Sequence, residues 1–234
     1  MIALGVVLLL SYLVGSIPSS IWVGKIVKGV DIRNHGSGNA GATNTFRLLG
    51  WQPGVAVLAI DFLKGFASSY WISQLAYHIG SGPVSMFEFW SLASFLSITC
   101  GIAAVVGHMF PLYANFDGGK GMATAGGMLC GIEPVSVGIA AVFFLIVLLT
   151  SRFVSLASLV AAFVYPLVLV VLRYGYSWDI DGSILIFAGF IGLAIIIKHK
   201  GNIKRLLNGT ENKISSFKPA VGWLNKEEKP QSGN

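Results

Sequence analysis

The sequence predicts an all-α fold, a polytopic membrane helix bundle with seven transmembrane helices, its N-terminus outside and its C-terminus cytoplasmic. Three observations predict it. Of the 234 residues, 54% are hydrophobic and only 11% charged, with mean hydropathy +0.74, whereas a soluble domain carries about 25% charged residues. Apolar runs of membrane-spanning length recur along the whole chain. Positive charge then falls almost entirely on one side of those runs, as the elements taken in order make plain.

Residues 1–24 hold no charge and form the first span. They lack a basic leader and a small-x-small cleavage site, so the helix is expected to be retained. Pro18 should kink or end its regular part, beside Gly15, Ser16, Ser19 and Ser20, which suit close helix packing. A polar segment follows to about residue 50. The second span, about 53–76, contains Asp61 and Lys64 on one helix face. Each costs about 2.5–3.5 kcal/mol at mid-membrane, so the two should face the bundle interior and pair.

A loop over 77–90 holds Glu88 and no Lys or Arg. The third span, about 91–112, delivers a glycine-rich stretch over 107–127, GHMFPLYANFDGGKGMATAGG. The apolar helix behind it, about 122–132, ends at Glu133-Pro134 and rises only about 16–20 Å, short of the roughly 30 Å hydrocarbon core. Its entry loop must therefore dip inward as a re-entrant recess. Spans over about 135–150 and 153–172 meet at Ser151-Arg152 in a hairpin. Arg173, Asp179 and Asp181 mark the next loop. The last span, about 183–197, leads to a basic tail. One catalytic domain over 1–212 and a polar, flexible cytoplasmic tail over 213–234 are expected.

With seven spans, segments 25–50, 113–121, 151–152 and 198–234 share one side. They hold fourteen of the sixteen Lys and Arg residues; Arg173 lies opposite and Lys64 within the membrane. The positive-inside rule makes that side cytoplasmic. The net charge of +6 thus reflects topology and attraction to anionic lipid headgroups, and nucleic acid is not expected as a partner. Cys100 and Cys130 read as packing residues. The four histidines are scattered without metal-ligand spacing, so no metal is predicted.

Gly118, Gly119, Lys120 and Gly121 precede Met-Ala-Thr-Ala, a helix start. Backbone amides at a helix N-terminus, with a lysine among flexible glycines, make an anion cradle. The alternative is a plain re-entrant turn with an interfacial lysine. Two more polar segments share its side. GSGNAGATNTFR over 36–47 offers Ser37, Asn39, Thr43, Asn44, Thr45 and the Arg47 fork. His199, Lys200, Asn202 and Arg205 form the third set, with Ser155 near the same surface. Together they fit a ligand with one or two phosphates.

Those segments, with DFLKG at 61–65, GHMFP and GGKGMAT at 107–124, RFVSLAS at 152–158 and HKGNIKRLL at 199–207, resemble the bacterial acyl-phosphate:glycerol-3-phosphate acyltransferase family (PlsY type). The resemblance covers about residues 10–210 in order. It implies a seven-span enzyme of the bacterial cytoplasmic (inner) membrane, active at the cytoplasmic face. The implied reaction moves a fatty acyl group from acyl phosphate to the 1-position of sn-glycerol 3-phosphate, giving lysophosphatidic acid and phosphate. Neither a cofactor nor coenzyme A is implied. The expected partners are the two substrates, membrane lipid and the enzyme that makes acyl phosphate, with a monomer as the default.

By resemblance Ser37, Lys120 and His199 are the catalytic set. Ser37, Asn39, Asn44, Arg47, His108, Gly118, Gly119, Lys120, Gly121, Thr124, Ser155, Asn202 and Arg205 are the substrate-binding set. Asp117 stands where the family often has a basic residue, and a carboxylate pointing inward would weaken the cation cluster. Acyl phosphate is already activated, so direct transfer is expected, with His199 or a substrate phosphate oxygen as base. No GxSxG elbow occurs. An acid four or five residues after a histidine, the mark of another acyltransferase class, is missing after all four. An anion or organophosphate transporter is the competing reading, since broken helices and an intramembrane ion pair serve transporters too.

Overall fold

The computed structural model describes residues 2–79, 91–211 and 213, with Lys198 as backbone only. Most of the 77–90 loop, Glu88 included, and nearly all of the expected tail lie outside the described residues.

All the regular structure among the described residues is helical. Helices α1 (Ile2–Gly15) and α2 (Ser19–Lys28) form one broken span, interrupted at Ser16-Ile17-Pro18. Proline removes a backbone donor and fixes φ, so the ladder restarts after it. The helix runs on to Lys28, beyond the expected end near residue 24, and takes Lys25 and Lys28 into its last turn, where cations suit the helix dipole. The polar segment after it is not all loop. Residues Ala42–Leu49 form an amphipathic helix, α3, packed on α4 (Trp51–Ala67). A wide π turn, Ser68–Ile72, continues α4 toward His78.

Helices α5 (Leu92–Met109), α6 (Met122–Ile132), α7 (Pro134–Ser151), α8 (Val154–Val170), α9 (Gly182–Lys198) and α10 (Lys200–Leu207) complete the bundle. Five stretches among the described residues are long and apolar enough to cross a membrane. A sixth arises if α9 and α10, bent by 57°, count as one span. The seventh element of the expected bundle, α6, has only 11 residues and rises about 16 Å. It is seated by close backbone approach: a Cβ on Gly65 would strike the Thr124 carbonyl, and one on Gly127 the Phe62 carbonyl. Helices α4 and α6 therefore touch backbone to backbone, as small residues permit in membranes.

The α7–α8 link is the expected hairpin. Arg152 caps α7 in the left-handed region at φ 62°, its N–H bonded to Leu148. The expected Asp61–Lys64 pair is present at 2.9 Å, with the side chains 1% and 3% exposed. Lys64 also donates to the Ile17 carbonyl, freed where the first span breaks. Two apolar clusters hold the frame. One joins Ala3, Val7, Ala76, Leu96 and Cys100, and the other joins α5, α7, α8 and α9 around Tyr165 and Leu169.

Candidate active site

Helix α5 ends at Met109, and after Pro111 the chain turns sharply toward α6. Asn115 and Phe116 both sit in the left-handed region (φ 56° and 61°), a conformation costing roughly 1–2 kcal/mol per non-glycine residue. Bonds from Phe116 N–H to the Pro111 carbonyl (2.9 Å) and from Asp117 N–H to the Ala114 carbonyl (3.2 Å) hold it. Gly118 and Gly119 then press against the end of α5. The Gly119 N–H donates to the His108 carbonyl at 3.2 Å. A side chain on Gly119 would overlap His108 Nε2 and the Ala40 carbonyl, so only glycine fits between α5 and the first loop.

Lys120 stands at the apex, exposed, and makes no ion pair or hydrogen bond among the described residues. Gly121, at φ 75°, turns the chain into α6. Thr124 is fully buried in the first turn of that helix. Its hydroxyl is buried and has no hydrogen-bond partner among the described residues. The glycines, His108 and the helix start belong to one compact unit that carries Lys120.

Asp117 points away from that unit. Its carboxylate is 73% exposed and lies 3.5 Å from Arg33 Nη1. Arg33 is the strut between the first loop and the glycine loop. It donates to the carbonyls of Ala114 (3.1 Å) and Asp117 (3.3 Å) and pairs with Asp31 at 2.7 Å. The Arg33 hydrogen bonds hold the Asp31 carboxyl down at about 2. Beneath them Ile21, Ile32, Ala40 and Ala114 form a small apolar floor.

The first loop is stitched by Asn44, which is buried. Its Oδ1 accepts from Ser37 N–H (3.0 Å) and its Nδ2 donates to the carbonyls of Ile32 and His35. Its amide is committed to the loop, so Asn44 shapes the expected binding set from within. Ser37 is left exposed at the loop tip, with Asn39 half-buried and Arg47 exposed on α3. Arg47, like Lys120, has no ion pair or hydrogen bond among the described residues.

The third set converges on a residue that the sequence reading left without a role. Ser155 Oγ (2.9 Å) and Asn202 Nδ2 (2.8 Å) donate to Glu211 Oε1, and Arg205 Nε donates to Oε2 at 2.7 Å. Asn202 above all, then Arg205 and Ser155, hold the Glu211 carboxyl below the usual range. Arg205 is thus paired within the protein. His199 Nδ1 donates to the Ile195 carbonyl at 2.8 Å. A carbonyl only accepts, so neutral His199 carries its proton on Nδ1 and an open lone pair on Nε2. Among the described residues, no hydrogen bond or ion pair joins this third group to the first two.

A family model, glycerol-3-phosphate acyltransferase, matches residues 5–209. The chain belongs to the glycerol-3-phosphate acyltransferase family. A Salinibacter ruber protein named glycerol-3-phosphate acyltransferase is 46% identical over 227 residues, covering 97% of this chain and 99% of its own. A Chlorobium phaeobacteroides protein of the same name is 42% identical, covering 92% and 97%. Two crystal structures of PlsY, an integral membrane glycerol 3-phosphate acyltransferase, superpose with TM-scores of 0.66 and 0.68 at 37% and 36% identity. They cover 90% of this chain and 95% of theirs. The first is the glycerol 3-phosphate form and the second the lysophosphatidic acid form.

Membership in the glycerol-3-phosphate acyltransferase family makes the chain a multi-pass membrane protein and does not favour the transporter. Sequence reading missed Arg33 and Glu211 at the site. Glu211 had one signal, a lone acid directly behind a basic helix and Gly209. Arg33 had none, because its partners are backbone carbonyls some eighty residues away.

Proposed function

We propose that this protein transfers a fatty acyl group from acyl phosphate to the 1-hydroxyl of sn-glycerol 3-phosphate, yielding lysophosphatidic acid and phosphate. The reading is carried by one observation: the Gly118–Gly121 loop is clamped by His108 and Ala40 while Lys120 has no partner among the described residues. A cation with no protein partner, among open amides at a helix start, is an anion site. The family's glycerol 3-phosphate and lysophosphatidic acid forms supply the chemistry of that anion.

Direct transfer follows from the donor. The glycerol oxygen attacks the acyl carbonyl and forms the new ester C–O bond. The acyl–phosphate C–O bond breaks, and its electron pair leaves with phosphate. Lys120, the loop amides and Arg47 stabilise charge on the phosphates, and Ser37 orients the hydroxyl. Two bases are at hand for the hydroxyl proton, His199 Nε2 and a substrate phosphate oxygen. The pH–rate profile of His199→Gln separates them: loss of more than a hundredfold assigns His199, and a small loss assigns the phosphate. Gly118, Gly119 and Gly121 hold the loop, with Asn39 and Asn44 shaping its neighbour, while Ser155, Asn202 and Arg205 border the site around Glu211.

Location and assembly belong to the same reading. The site faces the cytoplasm from the bacterial inner membrane, in a single catalytic domain over 1–212 of a seven-span monomer fed by the enzyme that makes acyl phosphate. The test uses purified protein with glycerol 3-phosphate and either acyl phosphate or an acyl thioester. Phosphate and 1-acyl product should form in equal amounts from acyl phosphate alone. Turnover with the thioester only, or a 2-acyl product, overturns the donor or position assignment.

A further inference from the structure

The buried charges at the base of the glycine loop are more than a neutralised pair. Asp61 Oδ1 lies 2.9 Å from Lys64 Nζ, accepts from Ser19 Oγ at 2.6 Å, and lies 3.4 Å from His108 Nδ1. Three helices, α2, α4 and α5, thereby converge on one oxygen. Lys64 alone balances the carboxylate, so charge balance does not require the other two groups. Their arrangement does something else. With Nδ1 turned to the carboxylate, the opposite edge of the His108 ring, at Nε2, abuts Gly119. The His108 carbonyl meanwhile accepts the Gly119 N–H. Ser19 and His108 also line a small cavity with Ser20, Ala40, Gly118 and Gly119, so the buried cluster is the floor under the loop.

We propose that Asp61 is a positioning residue for the phosphate loop, acting through His108. The carboxylate sets the ring's rotamer and keeps the proton on Nδ1, and the ring edge in turn sets the backbone of Gly118–Gly119 beneath Lys120. Without Asp61 the ring is free to turn about its side-chain bonds and the loop loses its support. An imidazole anchored at one nitrogen so that the other faces the working site is a general second-layer arrangement. The proposal rests on the acyltransferase reading for its kinetic consequence but not for its binding consequence.

Asp61→Asn alone strands a buried lysine and threatens folding, so the primary variant is Asp61→Asn with Lys64→Met, which removes both charges together. The proposal predicts that KM for glycerol 3-phosphate rises tenfold or more while kcat stays within threefold and the melting temperature in detergent is retained. Adding His108→Gln should cost nothing further, because both changes cut the same link. Calorimetric titration with inorganic phosphate should show a matching tenfold weakening, whether or not the protein catalyses transfer. An unchanged KM and phosphate affinity in a folded Asp61→Asn/Lys64→Met protein overturns the proposal, as does an additive His108→Gln effect. Absence of turnover in the wild type, with phosphate binding still sensitive to Asp61, would instead defeat the acyltransferase reading.

Discussion

At the scale of single residues, the cations divide by what they touch. Arg33, Lys64 and Arg205 are held by protein oxygens, whereas Lys120 and Arg47 are exposed without partners among the described residues. Asp117 belongs to the first group's surroundings, not to the proposed anion site, because it faces Arg33. Asp117→Asn should therefore leave KM for glycerol 3-phosphate within twofold, since an exposed pair at 3.5 Å is worth about 0–1 kcal/mol. Arg33→Ala should raise that KM several-fold, because it cuts the bonds to Ala114 and Asp117 that pin the loop. Both are read in steady-state kinetics. The Asp31 carboxyl is depressed to about 2 by Arg33. A depressed carboxyl stabilises above its ordinary range and loses that contribution as pH falls through its folded value. The Arg33 strut should thus persist at pH 5 and weaken only between about pH 4 and 2, as melting temperature against pH will report.

At the scale of elements, α6 is the piece that aims the loop, and its seat is made of glycines. Gly127→Ala drives a Cβ into the Phe62 carbonyl, while Gly126→Ala meets nothing nearer than 4.0 Å. Overpacking of this kind costs about 1–3 kcal/mol, so the first substitution should lower the melting temperature and activity together. The second should be neutral or slightly stabilising, since alanine favours the helix. Much of this element plan was legible beforehand. Pro18, Pro134 and Arg152 punctuate the chain by local backbone chemistry, and the 11-residue α6 showed itself through its length. Helix α3 was not legible, because its glycine- and asparagine-rich entry resembles a turn and its stability comes from packing on α4. The convergence on Glu211 stayed hidden for a similar reason: three donors on two helices meet only after the chain bends by 57° between α9 and α10.

At the scale of the whole molecule, the cavity floor, the glycine loop and the first loop form one structural unit at one end of a bundle whose outer surface is apolar. Exposed side chains such as Leu9, Leu63, Phe163 and Phe190 on four different helices suit lipid. The charge distribution predicts the direction of that bundle. Single cysteines at exposed Lys28, Lys204 and Tyr176, in a background lacking Cys100 and Cys130, report it through a membrane-impermeant maleimide. Tyr176 should label in intact cells with a permeable outer membrane, and Lys28 and Lys204 only after lysis; the reverse pattern would invert the topology. Lys120 is the residue on which the proposed transfer depends most directly. Purified wild-type protein given acyl phosphate and glycerol 3-phosphate should release phosphate together with lysophosphatidic acid, and Lys120→Ala should reduce that release at least a thousandfold while remaining folded. No release by the wild type, or an unimpaired Lys120→Ala protein, would contradict it.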